Sequence, residues 1–309
     1  MIIFLNRFAN DRKSLQKWDR LKDILQNKYI GQNYTLLTEF EGLRQRLSQE
    51  LERGERVIVA AGGDGTVNFL LNEIMRLDEG ICSQVILGAI GLGSSNDFHK
   101  PYTRAESLDG NVRVRLNDKA AVWQNVGKAE FEDEEGGKRT KYFMINCSVG
   151  ITAKANYLFN SEDRVIRYFK PRWVMGTIWY TALKTILTAK NFPAELIVGT
   201  KKYTTEITSL NVCISPHVSG NLSFDLTVSP QSHFFGIALC EGMGILARIR
   251  TIVSLSSGKF TGLPQTRTWF ADSIEIYPDS PTPLELDGEV CLARSIKIRL
   301  LSKSIKVCI

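Results

Sequence analysis

The sequence predicts an α/β plus β fold: an N-terminal parallel-sheet α/β domain followed by a C-terminal antiparallel β-sandwich domain, with a cleft between them. Two observations carry this. Over the first third of the 309 residues, short β-branched runs alternate with stretches whose apolar residues recur at helical spacing. That is the pattern of βαβ units, and so of a parallel sheet covered by helices. After about Val112 the texture changes to short β-branched and aromatic runs separated by turn residues, as in an antiparallel sandwich or barrel. The change falls near 110–125, which sets domains at 1–120 and 121–309 and leaves open a return of the last strands to the first domain.

Taken in order, residues 1–5 (MIIFL) form a strand, and 11–29 a helix with Leu15, Trp18, Leu21, Ile24 and Leu25 along one stripe. Residues 34–37 are a second strand, and 39–52 a second helix with Leu43, Leu47 and Leu51 aligned. Strands at 57–61 and 85–90 flank a third helix at 67–77. In the second half, AAVWQNVGKAEF, TKYFMINCSVG, TEITSLNVCIS, SIEIYP and SIKIRLL read as strands, with helical interruptions at about 153–190 and 243–255. EDEEGG at 132–137 is an exposed hairpin turn, and no internal repeat is present.

With 43% apolar and 23% charged residues, the chain has the composition of a globular protein with a true core. A net charge of +6 suits anionic partners such as nucleotides or lipid headgroups, and suits a solvated surface equally well. Six cysteines without a CxxC pair point to free thiols in a reducing compartment. The opening apolar run is too short for a secretory segment, and residues 173–183 are too short for a membrane span. A cytoplasmic protein is expected, with peripheral membrane contact and self-association left open. His99, His217 and His233 lack metal-ligand spacing, and no nucleic-acid-reading motif occurs, so no nucleic-acid partner is expected.

The chemistry concentrates in VIVAAGGDGTVNFLLNEI, residues 57–74. Glycines 62, 63 and 65 let backbone N–H groups approach an anion, and the helix that follows adds its dipole. Thr66 suits a cap or a phosphate contact. This is neither a Walker A loop nor a dinucleotide fingerprint, and GLGSSN at 91–96 lacks the third glycine of the latter. An acid beside phosphate is unfavourable unless a cation intervenes, so Asp64 makes sense beside Mg²⁺ on a nucleotide. The alternative is a tight strand-to-helix turn with Asp64 as a local cap. Downstream, PTPLELDGEV (281–290) places Glu285, Asp287 and Glu289 at alternate positions. In an extended segment they share one face and require a cation, a basic neighbour or a proton; a solvated Asp-Gly turn is the plainer reading.

Together, GGDGT at 62–66, LGAIGLGSSNDF at 87–98 and LELDGE at 284–289 resemble the diacylglycerol kinase catalytic domain family, which includes bacterial lipid kinases and sphingosine kinases. The three motifs occur in family order, and the two-domain layout agrees along essentially the whole chain. The resemblance implies ATP bound by Gly62, Gly63, Gly65, Thr66 and Asn68, helped by Thr38 and Ser94, with Asn6, Asp64, Gly93, Asn96 and Asp97 completing the set. It implies that Asp64 organises Mg²⁺, that Glu289 accepts the proton of a lipid hydroxyl at a membrane surface, and that Asp287 helps or substitutes.

Several positions depart from the family pattern. Its first loop, commonly Asn-Pro-x-x-Gly, is here Asn6-Arg7-Phe8-Ala9-Asn10; Phe69 replaces a glutamate and Gly91 a proline. Thr152 stands where lipid-recognising relatives often carry aspartate, and Phe234-Phe235-Gly236 where an Asp-Gly often marks a structural Mg²⁺ site. Two other functions therefore stay open: a kinase of a soluble hydroxyl compound, similar to NAD kinases, and a nucleotide-binding protein with little catalytic activity. The stretch YFKPRWVMGTIWY (168–180) reads either as a helical lip touching membrane or as a helix packed on the β domain.

Overall fold

A computed structural model describes every residue except 11–12, 32, 94–95, 102–105, 109–111, 160–163, 170–171 and 219–221. The chain divides into two compact units, Met1–Val126 with Ser302–Ile309, and Gly127–Leu301. No helix among the described residues is long and apolar enough to cross a membrane. All six cysteines are free.

In the first unit, strands β1 (Ile2–Leu5), β2 (Thr35–Leu37), β3 (Val57–Gly62) and β4 (Ile86–Gly91) run parallel in the order β4-β3-β1-β2. Every residue of β1 is buried, as expected for a parallel strand covered on both faces. Between the strands lie α1 (Lys13–Leu25), α2 (Leu43–Glu52), α3 (Asp64–Ile74) and the short α4 (Glu79–Cys82). Trp18, Leu21 and Leu25 of α1 pack into one core with Ile3, Leu5, Val59, Ala61 and Ile90. Leu43, Leu47 and Leu51 are the buried stripe of α2. Strands β5 (Glu106–Leu108) and β6 (Val112–Arg115) add an antiparallel edge beside β4. The chain end does return: Lys306 and Val307 pair in parallel with Ile86 and Leu87.

The second unit is antiparallel. It contains β7 (Val122–Glu132, crossing in from the first unit), β8 (Lys138–Phe143), β9 (Asn146–Gly150), α5 (Ile151–Phe159), α6 (Arg164–Phe169), α7 (Val174–Thr188), β10 (Phe192–Val198) and β11 (Lys201–Cys213). After the two-residue strands β12 (His217–Val218) and β13 (Leu222–Ser223) come β14 (Phe235–Glu241), α8 (Ile245–Ser256), β15 (Thr266–Ala271), β16 (Ser273–Pro278), β17 (Thr282–Leu286) and β18 (Glu289–Val307). The expected face-to-face sandwich is instead a circuit of pairings, β11–β9–β17–β18–β16–β10 and back to β11. The long strands permit this closure, because β11 pairs with β10 along Lys201–Ile207 and with β9 along Ser209–Cys213. Alternate residues of these strands, including Val149, Leu196, Leu210, Ile276, Leu284 and Ile296, build one apolar core.

Candidate active site

The carboxyl ends of β1, β2, β3 and β4 lie along one edge of the parallel sheet, where ligands bind in open α/β folds. Two glycine loops leave this edge and seal against each other. A Cβ on Gly93 would fall 2.3 Å from the Cα of Gly63, so backbone touches backbone there. Leu92 N and Gly93 N both donate to Gly62 O, at 2.8 and 3.1 Å. Gly62 is bare for a second reason: a Cβ on it would meet Thr66 Oγ1 at 2.2 Å.

Helix α3 starts at once, with Gly63 as its N-cap in extended conformation and Asp64, Gly65 and Thr66 in the first turn. The leading N–H groups of any helix lack intrahelical acceptors, so this turn presents donors and positive potential at the edge. Asp64 reaches across the seam. Its Oδ2 accepts from Asp97 N and its Oδ1 from Phe98 N, both at 3.0 Å. It thereby caps the 3₁₀ turn Asp97–His99 of the second loop. Asp64 acts as a cap after all, for the opposite loop rather than for its own helix.

The other residues expected to contact a nucleotide lie in the same unit. Asn6, just past β1, donates from Nδ2 to Thr66 Oγ1 at 3.0 Å. Asn6 Oδ1 accepts from Phe8 N at 3.0 Å, and Asn6 O accepts from Ser14 Oγ at 2.7 Å. The altered first loop thus keeps a local turn that fixes Asn6 without the family's proline. Thr38 follows β2 and donates to Glu39, which also pairs with Arg7 at 2.9 Å. Asn68 is buried in α3, where its side-chain and backbone oxygens accept from Asn72. Asn96 takes the left-handed conformation (φ 55°) and donates to Gly91 O and Gly93 O. Asp97 is buried and pairs with Lys100 Nζ. Ser94 lies outside the described residues.

Lys17, which sequence reasoning missed, brings its ammonium to Leu92 O at 3.4 Å. Burial first, then Arg20 and Lys13, lower its pKa from the ordinary lysine value. The only sequence signal was a lysine beside the core residue Trp18, which does not tell a solvated lysine from one folded over a loop. Below the seam, Arg115 is wholly buried and donates to Cys308 O (2.8 Å) and Phe98 O (3.0 Å), with its guanidinium 4.1 Å from the Phe98 ring. His99 is buried beside it. Desolvation, with Arg115 and Arg113 adding to it, pushes its pKa down to about 3.

The residues fit a triphosphate better than a protein-held metal. The glycines let the two loops close on each other without side chains, and the first turn of α3 beside them offers N–H donors at a helix N-terminus. Among the described residues no group of three or more His, Cys, Asp or Glu side chains could hold a metal. Both oxygens of Asp64 accept a backbone N–H, so its carboxylate is engaged in joining the two loops.

In the second unit, the three downstream carboxylates do not share a face. Leu286 pairs with Glu289, and Asp287 (φ 49°) and Gly288 (φ 94°) form the two-residue turn between β17 and β18. Asp287 is 4% exposed and accepts from Met144 N, Ile145 N and Asn146 N at 2.7–3.0 Å. Its carboxylate holds the chain leading into β9. Glu285 is buried as well, accepting from Ser148 Oγ at 2.6 Å and Gly288 N at 2.5 Å. Glu289 alone of the three is exposed.

Residues 1–119 match the family model of the diacylglycerol kinase catalytic domain. "Putative lipid kinase YtlR" of Bacillus subtilis is 21% identical over 297 residues, covering 93% of this chain and 92% of its own length. "Putative lipid kinase SaurJH9_0749" of Staphylococcus aureus is 22% identical over 277 residues, covering 88% and 84%. A crystal structure of a "putative diacylglycerol kinase" from Bacillus anthracis superimposes with a TM-score of 0.72 at 20% identity, covering 99% of this chain and 94% of the other. That likeness establishes a shared fold.

Proposed function

We propose that this chain, whose first 119 residues carry a diacylglycerol kinase catalytic domain, is a lipid kinase that transfers the γ-phosphoryl group of ATP to a lipid hydroxyl. The observation that supports it most is the first turn of α3, whose leading N–H groups follow the glycine loop at the carboxyl edge of the parallel sheet. Gly62, Gly63, Gly65 and Thr66 bind the phosphates through the loop and first turn, and Asn6 orients the Thr66 hydroxyl. Lys17 adds positive charge at the second loop. Phosphoryl transfer relies chiefly on positioning and charge stabilisation, and Mg²⁺ carried on the nucleotide supplies part of the latter when bound. Asp64 fixes the two loops in register, and its negative charge favours the hydrated ion.

Glu289 accepts the proton of the attacking hydroxyl. Of the three LELDGE acids it is the one whose carboxylate the fold leaves exposed, while Glu285 and Asp287 brace the turn that carries it. A lipid acceptor makes the protein a peripheral visitor to a membrane surface. The test is incubation of the purified chain with γ-labelled ATP, Mg²⁺ and extracted membrane lipid, followed by identification of the labelled product. Label in a lipid hydroxyl is expected, and Glu289→Gln is expected to abolish it while ATP binding persists. Label in a soluble acceptor such as NAD, or ATP binding without transfer by the unmodified protein, overturns the reading.

A further inference from the structure

Two helices of the second unit, α7 and α8, are patterned the wrong way round for water. On α7, Thr177, Thr181 and Thr185 recur every fourth residue and are all buried. The stripe that faces outward is Trp179 (57% exposed), Leu183 (53%) and Leu187 (51%). Helix α8, which contacts α7, buries Arg248 and Thr251 while leaving Leu246 83% and Val253 62% exposed. The buried polar groups are satisfied inside. Thr177 and Thr181 donate to carbonyls of their own helix or its cap, and Arg248 donates to Ile186 O, Ala189 O, Met243 O and Asn191 Oδ1. Beneath α5, the outer face of β17, β9 and β11 carries Glu285, Ser148 and Asn211 in one register row, all buried. A water-facing helix shows the opposite arrangement, apolar in and polar out.

Charge supplies the second observation. Among the described side chains, helices α5, α6, α7 and α8 carry no aspartate or glutamate, and Lys154, Lys184 and Arg250 stand at half-exposed or exposed positions. Arg172 and Lys190 flank α7 at exposed positions. A second copy of this chain docked about a two-fold axis would set these cations against themselves. An anionic lipid surface complements them, and an apolar stripe rimmed by cations is the pattern of an interfacial helix. A shallow cavity of about 260 Å³, lined by Leu246, Ala247, Arg250, Thr251, Leu263 and Pro264, opens beside the α8 stripe and places a guanidinium at an apolar recess.

We infer that the exposed face of α7 and α8, centred on Trp179, Leu183, Leu187, Leu246 and Val253, inserts into the headgroup layer of an anionic bilayer. The inference deepens the lipid-kinase reading and rests on it in taking a bilayer rather than a protein as the partner. The test is co-sedimentation of the full chain with vesicles of phosphatidylcholine alone and of phosphatidylcholine with phosphatidylglycerol. The wild type is expected to partition onto the anionic vesicles at least about tenfold better than onto neutral ones. Leu183→Glu with Leu187→Glu, and Leu246→Glu with Val253→Glu, are each expected to lower that partition about tenfold or more, since each pair replaces inserted apolar groups by anions. Leu36→Glu, an exposed apolar position of the first unit, is the control and is expected to bind like the wild type.

Unaltered thermal unfolding of the variants shows that they are folded. A measurement on the unmodified chain stands beside them: brominated lipid is expected to quench tryptophan emission, and Trp173→Phe with Trp179→Phe to remove the quenching. Failure of the wild type to bind vesicles, full binding by both double variants, or their conversion of a dimer to a monomer without loss of vesicle binding overturns the inference. Activity on a dispersed short-chain diacylglycerol separates the two claims. A chain that binds vesicles but phosphorylates no lipid refutes the kinase reading alone; an active kinase indifferent to vesicles refutes the docking face alone.

Discussion

Asp64 and Phe98, distant in sequence, are joined by a 3.0 Å hydrogen bond from the Phe98 N–H to Asp64 Oδ1, with Asp97 N bound to the other oxygen. One carboxylate therefore locks the second glycine loop to the first turn of α3. Asp64→Asn keeps the shape but loses the charge and sets an amide donor against one of the N–H groups. A loss of about 2 kcal/mol is expected, within the range for hydrogen bonds to charged groups. Denaturant unfolding with unchanged slope checks it. ATP affinity measured on the same variant is expected to fall, because the loops lose their register.

The seam itself gives a contrast between two glycines. Gly93→Ala drives a methyl onto the Gly63 backbone, which cannot yield as a side-chain end could. A destabilisation of about 1–3 kcal/mol is expected from overpacking, together with loss of nucleotide binding. Gly80 meets nothing within 4 Å and lies in helix α4. Gly80→Ala is expected to be neutral or to stabilise by up to about 1 kcal/mol. Thermal unfolding and calorimetric titration with ATP distinguish the pair.

The acids of the β17–β18 turn are expected to separate cleanly. Asp287→Asn replaces an acceptor of three buried N–H groups, and about 3 kcal/mol of stability is expected to go, since donors buried without acceptors are costly. Glu289→Gln, at an exposed position, is expected to change stability by no more than about 0.5 kcal/mol while removing transfer. A stable but inactive Asp287→Asn would reassign the base.

His99 supplies a pH dependence. Its folded pKa of about 3 lies below the ordinary value of 6.5, so between those limits the unfolded chain binds a proton that the folded chain refuses. Stability conferred by the neutral ring is full above 6.5 and declines as pH falls toward 3, by at most about 1.4 kcal/mol per pH unit. His99→Gln is expected to flatten the unfolding free energy over this window relative to the wild type. Superimposable pH profiles would show that His99 is not the group responsible.

Much of this was legible in the chain itself. The βαβ alternation, the leucine stripe of α2 and the glycine loops at strand ends follow from periodicity and punctuation, which are local properties. The closed strand circuit was not legible, because it depends on which partner each half of β11 and β18 takes, and alternating patterns are alike in a sandwich and a closed sheet. The fates of Glu285, Asp287 and Glu289 were also hidden. Their spacing suggested one face, but Asp287-Gly288 turns the chain between them.

Residue order alone was enough to place glycine-bearing loops after β3 and β4, since glycines at the end of an apolar run mark where the chain must turn. Only the folded chain decided that Asp64 binds the partner loop, that Asp287 braces a turn, and that α7 wears its leucines outside. The reason is that a polar or apolar residue is defined by what covers it, and covering groups come from distant segments. Local pattern names the elements; packing assigns each side chain its neighbour, and with it a chemical role.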